Sequence, residues 1–73
     1  MHSVKTDEIL VIRAKTRATG ANIHNAMTLI CLYESFCRHS RTFPEDKMLL
    51  EKAQMFEKQM HEFVATGVVP KRA

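Results

Sequence analysis

The sequence predicts an all-α fold, a small helical hairpin with an additional N-terminal helix. Apolar residues recur every three or four positions over residues 23–38 and again over residues 48–64, the period of an amphipathic helix. The two glycines and two prolines fall near the ends of the helical segments. A short connection between the last two segments, residues 39–42, makes them antiparallel neighbours.

The first segment spans residues 6–19. Thr6 is a suitable N-cap, and Asp7 and Glu8 lie in the first turn, where the helix dipole favours acids. The run ILVIRAKTRAT also alternates as a strand does, but no other segment offers a strand partner and a lone strand is unstable. We therefore favour a helix. If Gly20 does not break it, the first two segments form one helix and the protein is a two-helix hairpin that must dimerise.

The second segment, residues 23–38, carries two apolar seams and has Asn22 as its N-cap. One seam contains Ile23, Ala26, Ile30, Tyr33 and Cys37, and the other contains Leu29, Leu32 and Phe36. Together they cover an arc of about 200°, wider than a one-sided surface helix shows. This helix is expected to pack from two directions and to form the centre of the fold.

The third segment begins at TFPE, with Thr42 as N-cap, Pro44 in the first turn and Glu45 at the capping-box position. Its core positions follow at steps of four and three: Leu49, Ala53, Phe56, Met60 and Phe63. The stripe is widened by Met48, Leu50, Met55 and Val64. Gly67 is the expected glycine after the helix, and Pro70 prevents its continuation.

The 73 residues begin with Met, and we expect one complete domain, 1–73, with flexible ends at 1–5 and 68–73. So short a chain buries about 60–65% of its unfolded surface. Cys31 and Cys37 lie about 9 Å apart along one helix, too far for a disulfide. With no signal peptide, the sequence predicts reduced thiols and a cytoplasmic location. No uncharged run is long enough to span a membrane, so self-association or a partner chain is expected to supply stability.

The net charge of +3 is unevenly distributed. Residues 1–43 carry six Lys or Arg against three acids, while residues 44–73 carry five of each. A basic segment before Gly20 followed by a helix from Asn22 resembles, in outline only, a helix-turn-helix reading head. Its candidate nucleic-acid contacts are Arg13, Lys15, Arg17, Asn22, His24, Asn25 and Thr28.

One feature disfavours this reading head. Its first helix needs an apolar and a small residue four or five positions before the glycine, where this chain has Lys15 and Thr16. The simpler interpretation, which we favour, is a solvated basic face followed by a glycine break. The orientation of Lys15, toward solvent or toward the second helix, distinguishes the two.

Metal binding and catalysis have no supporting motif. The chain lacks the paired Cys-x₂₋₄-Cys spacing of structural zinc sites and has neither a glycine-rich phosphate loop nor a His-Glu-x-x-His helix. We therefore predict no catalytic residue, no metal and no cofactor. We also predict that the protein is not an enzyme.

The apolar stripes exceed what three short helices can bury among themselves. The leading interpretation is a non-enzymatic interaction or regulatory protein that forms a homodimeric helical bundle, binds a larger target protein, or does both. The predicted interface contains Leu29, Leu32, Tyr33, Phe36, Met55, Phe56, Met60 and Phe63. The alternative is a nucleic-acid-binding regulator that uses the basic segment 13–17. No membrane partner is predicted.

Overall fold

The structure is a computed structural model that describes residues 4–71. The chain forms helix α1 over Glu8–Arg17, a 3₁₀ turn over Gly20–Asn22, helix α2 over Ile23–Thr42 and helix α3 over Lys47–Thr66. The predicted all-α class is confirmed, and the strand alternative for the first segment is excluded. Within the described residues no helix has the length and apolarity that crossing a membrane requires.

Gly20 lies between the first two helices and interrupts the helical segment there. Its φ of 55° lies in the left-handed region, which glycine adopts without the steric cost that a Cβ would add. Asn22 occupies the predicted cap position, but its side chain makes no cap hydrogen bond to α2. The protein therefore has three helices, and the two-helix alternative is wrong.

The caps of α1 and α3 differ from the prediction. Asp7, and not Thr6, caps α1, because its Oδ1 accepts hydrogen bonds from the backbone N–H of Ile9 at 3.0 Å and Leu10 at 3.2 Å. Asp46, and not Thr42, caps α3 in the same way. In each case a carboxylate takes the cap, since it satisfies the free N–H groups and also opposes the helix dipole.

Helix α2 extends through the segment that the sequence analysis treated as a loop. Ser40 is buried, and its hydroxyl donates to the Cys37 carbonyl at 2.9 Å. The Thr42 hydroxyl likewise donates to the Arg38 carbonyl. These polar side chains are satisfied within the helix, so α2 continues to Thr42 and the connection falls at residues 43–46.

Helix α3 ends where predicted. Gly67 adopts a left-handed φ of 75°, and its N–H donates to the Phe63 carbonyl at 2.7 Å. Val4 and Val69 both pack against the core, although they belong to the ends predicted to be flexible. Residues 1–3 and 72–73 of those ends lie outside the described part of the chain.

One hydrophobic core joins the three helices. Its buried members are Leu10, Val11, Ala14, Ala18, Ala26, Leu29, Ile30, Tyr33, Cys37, Ala53, Phe56, Met60 and Phe63. The Tyr33 hydroxyl accepts a hydrogen bond from the Asp7 N–H at 3.1 Å, which ties the start of α1 to the middle of α2. Helix α1 packs against both α2 and α3, so it covers one side of the α2–α3 hairpin.

Candidate interaction surfaces

Most of the predicted interface residues lie in the core of a single chain. The five that are at most 5% exposed are Leu29, Tyr33, Phe56, Met60 and Phe63. Helix α2 is packed from two directions, as its two seams indicate, but by α1 and α3 of its own chain. Three predicted residues remain accessible: Leu32 and Phe36 are half-buried, and Met55 is 36% exposed.

The accessible residues belong to two facing ridges. On α2 the line Asn25, Leu29, Leu32, Phe36 advances by four, three and four residues, and on α3 the line Met48, Lys52, Met55, Gln59 does the same. Residues at such spacing share one side of a helix. Asn25 and Leu29 line a pocket with Gln59, which brings the two lines together at that end. Phe36 stacks on Phe56, the core residue that follows Met55 on α3, with ring centroids 5.4 Å apart.

We call Leu32, Phe36, Met48 and Met55 the hairpin face. Helix α1 lies on the other side of the hairpin, where Tyr33 meets Asp7. Met48, one of the residues that widen the apolar stripe of α3 in the sequence analysis, is 69% exposed here. The C-terminal segment borders one end of this face, where Val69, Pro70 and Lys71 line the pocket of about 330 Å³.

A second apolar surface lies on α1 itself. Ile9 and Ile12 are 64% and 63% exposed, and Arg13, Lys15 and Thr16 beside them are also exposed. We call these five residues the basic α1 face. Sequence reasoning did not assign the isoleucines to a surface, although both lie outside the line of Leu10, Ala14 and Ala18 that enters the core.

A hollow of about 270 Å³ lies at the edge of the basic α1 face, between α1 and α3. It is lined by Ile12, Arg13, Thr16, Arg17 and Val64. The Arg17 Nε donates to the Val64 carbonyl at 3.0 Å, which holds this guanidinium across the gap between the two helices. The hollow thus combines an aliphatic lining with two cationic side chains.

The candidate nucleic-acid contacts divide into two groups. Arg13, Lys15, His24 and Asn25 are exposed. Arg17, Asn22 and Thr28 make hydrogen bonds within the chain. The Asn22 amide is committed at both ends, because its Oδ1 accepts from the Thr19 N–H at 2.8 Å and its Nδ2 donates to the Gly67 carbonyl at 3.1 Å.

Lys15 faces solvent, as does Thr16. The small residues that α1 buries are Ala14 and Ala18, one position before and two positions after that pair. The lysine therefore causes no clash with α2. The side of α1 that packs is shared between α2 and α3.

Two buried groups are held in their neutral forms. Burial raises the pKa of Tyr33 to about 12, although the hydrogen bond from the Asp7 N–H opposes the shift. Burial also raises the pKa of the Cys37 thiol, whereas Cys31 is exposed. Among residues 4–71 no group of three or more His, Cys, Asp or Glu is placed to hold a metal ion.

Comparisons of this chain with protein-family models, with curated proteins and with solved structures return no match. The hairpin face and the basic α1 face are therefore the features from which a function can be inferred.

Proposed function

We propose that the protein is a non-enzymatic helical interaction protein that assembles as a homodimer through the hairpin face. The observation that carries the proposal is the pair of facing ridges on the side of the hairpin away from α1. Met48 is 69% exposed there, and Leu32 and Phe36 are only half-buried. Burying such side chains contributes roughly 25 cal/mol for each Å² of apolar surface removed from water.

The dimensions of the hairpin face suit a dimer. Helices α2 and α3 have 20 residues each, and 20 helical residues span about 30 Å. Two helices packed about 10 Å apart present a surface about 20 Å wide. The resulting outline, on the order of 600 Å², approaches the roughly 800 Å² that each partner buries in a standard interface.

The charges around the hairpin face favour a second copy of the chain. Along α3 the exposed residues bordering it are Glu51, Lys52, Lys58 and Glu62, two of each sign. A two-fold dimer places the same surface on both sides, so a border of mixed sign allows each acid to approach a cation. The methionines also suit this role, because their flexible side chains adapt to a facing surface.

The non-enzymatic part of the proposal is supported by the cysteines. A catalytic thiol needs a lowered pKa, since the thiolate is the nucleophile. Burial shifts the pKa of Cys37 in the opposite direction, and Cys37 is a fully buried member of the core.

Sedimentation velocity over the micromolar range tests the dimer. We expect the wild-type protein to sediment at twice the 8.4 kDa chain mass. The Met55→Glu substitution should weaken the dimer by about two orders of magnitude, because it leaves an unpaired charge in the interface. The matched control is Ile12→Glu, which places the same charge on the exposed side of α1 and should leave the dimer intact.

Two outcomes would contradict the dimer. One is a wild-type protein that stays monomeric throughout the concentration range. The other is an equal shift by Met55→Glu and Ile12→Glu, which would remove any special role of the hairpin face. Far-ultraviolet circular dichroism of both variants distinguishes a lost interface from a lost fold, since Met55 and Ile12 are both exposed in the single chain.

A further inference from the structure

The basic α1 face has the chemistry of a second, separate docking site. We propose that it binds an acidic amphipathic helix of a partner protein, with one aliphatic side chain of that helix in the hollow between α1 and α3 and its carboxylates on Arg13 and Lys15. This site is independent of the hairpin face, so it does not depend on the homodimer.

The hollow provides the anchor point. Its volume of about 270 Å³ accommodates a single aliphatic side chain, and Ile12 and Val64 offer that side chain an apolar lining. Ile9 lies one turn before Arg13 on the exposed side of α1, so it extends the apolar contact along the helix. Apolar anchors spaced along a groove are the means by which amphipathic helices are recognised.

Both charged side chains that line the hollow are cations. The one acid of α1, Glu8, lies in the first turn of the helix, and the residues from Ile9 to Arg17 carry three cations. Arg13 and Arg17 both line the hollow. A second copy of this surface would place like charges against each other, which costs free energy, whereas an acidic partner would satisfy them.

Protein is favoured over nucleic acid by the isoleucines. Phosphate contacts depend on cations and hydrogen-bond donors. They would leave the aliphatic side chains of Ile9 and Ile12, which are 64% and 63% exposed, without a role in binding. The polar side chains that a reading helix would need are also partly committed, since the Asn22 amide and the Thr28 hydroxyl bond within the chain. A carboxylate beside an aliphatic side chain matches both parts of the surface.

Fluorescence anisotropy with labelled model peptides tests the proposal. The first probe is a helical peptide of about 18 residues with Leu at helical spacing on one side and Glu on the other. The second has the same composition with the Leu stripe scrambled, and the third has Lys in place of Glu. A labelled duplex DNA is the fourth probe. We expect the protein to bind the first probe and to bind the other three at least about tenfold more weakly, a difference of about 1.4 kcal/mol.

Three alanine variants locate the site. Ile12→Ala and Arg13→Ala should each weaken binding of the first probe by about tenfold, the size of a moderate interface contact. Alanine preserves helix propensity, and both positions are exposed, so α1 should stay folded. Met48→Ala is the control, because Met48 is as exposed as Ile12 but lies on the hairpin face; its affinity for the peptide should stay within about twofold.

Several results would overturn the proposal. These are failure of the first probe to bind, equal binding of the scrambled peptide, an unchanged affinity in Ile12→Ala, and tighter binding of the duplex DNA than of the peptide. The last result would assign the basic α1 face to nucleic acid instead. The Ile12→Ala variant should still dimerise, so failure here is distinguishable from failure of the homodimer.

Discussion

The hairpin face and the basic α1 face each expose large apolar side chains to a similar extent, but the charged residues around them differ. Met48 is 69% exposed on one and Ile12 is 63% exposed on the other. The border of the hairpin face mixes acids and cations, while the charged side chains that line the hollow beside α1, Arg13 and Arg17, are both cations. Exposure therefore shows where a partner can bind, and the surrounding charge shows which kind of partner fits.

The two surfaces also differ in how they are held. The hairpin face rests on two helices of 20 residues whose inner sides fill the core. The basic α1 face lies on one helix of 10 residues. Two hydrogen bonds, called its two fastenings below, hold this helix: one joins the Asp7 N–H to the Tyr33 hydroxyl near its start, and the other joins the Arg17 Nε to the Val64 carbonyl at its end. We therefore expect the α1 face to respond to perturbations of its two fastenings and the hairpin face to respond to perturbations of the core.

The largest effect should come from a core substitution that removes the support of both surfaces. Phe63 is fully buried, and Phe63→Ala should lower the free energy of unfolding by about 3–5 kcal/mol, through lost burial and the cavity left behind. Urea denaturation measures this loss. Ile12→Ala is the control, since Ile12 is 63% exposed and lies outside the proposed dimer interface, and it should change stability by less than about 0.5 kcal/mol. Equal losses in the two variants would mean that the assignment of core and surface is wrong.

A rise in pH should destabilise the protein through Tyr33, whose hydroxyl accepts the hydrogen bond from the Asp7 N–H at the start of α1. The pKa of Tyr33 is about 12 in the folded protein and 10.0 ordinarily. Its contribution to stability is complete below pH 10 and is lost as the pH rises toward 12, because only the unfolded chain ionises in that window. Each pH unit there should lower stability by up to about 1.4 kcal/mol.

The control for this effect is Tyr33→Phe, which keeps the ring and removes the ionisation. The chain has one tyrosine, so the ultraviolet absorbance of tyrosinate reports the titration directly. Between pH 10 and 12 the variant should lose less stability than the wild type. A tyrosine that titrates at its ordinary pKa in the folded protein would contradict the burial described.

The smallest of these effects should come from removing the contact between Arg17 and Val64 at the end of α1. Arg17→Ala removes the hydrogen bond to the Val64 carbonyl, and an exposed bond of this kind contributes about 1 kcal/mol. Amide hydrogen exchange should accelerate in α1 and remain unchanged in the middle of α2 and α3. Arg13→Ala is the matched control, because Arg13 is an exposed arginine of the same helix. Similar exchange in the two variants would remove the role assigned to Arg17.

The three helical segments and the end of α3 at Gly67 could be predicted from the sequence. The break at Gly20 was one of two alternatives, and the connection between α2 and α3 was placed four residues too early. Gly20 and Gly67 each adopt the positive φ that glycine tolerates best. The N-cap residues of α1 and α3 could not be predicted. At α1, Thr6 and Asp7 both provide an acceptor, and the backbone conformation before the helix decides which of the two is used. The end of α2 was missed for a related reason, since Ser40 is polar yet buried with its hydroxyl satisfied inside the helix.

The candidate surfaces were less predictable than the fold. A stripe such as Phe56, Met60 and Phe63 must be covered, but the sequence does not say whether its own chain or another covers it. The run ILVI in α1 has no single apolar side, so only the positions of α2 and α3 decide that Leu10 and Val11 are buried and Ile9 and Ile12 are not. Interface residues on a small helical protein follow from tertiary packing rather than from periodicity.

The central claim is that the hairpin face joins two copies of the chain while the basic α1 face does not. An isotope-filtered nuclear Overhauser experiment on an equal mixture of labelled and unlabelled protein tests it directly. We expect intermolecular contacts from the methyl groups of Met48, Met55 and Leu32 and none from those of Ile9 and Ile12. Intermolecular contacts from the isoleucines, or none from the methionines in a sample that sediments as a dimer, would contradict the claim.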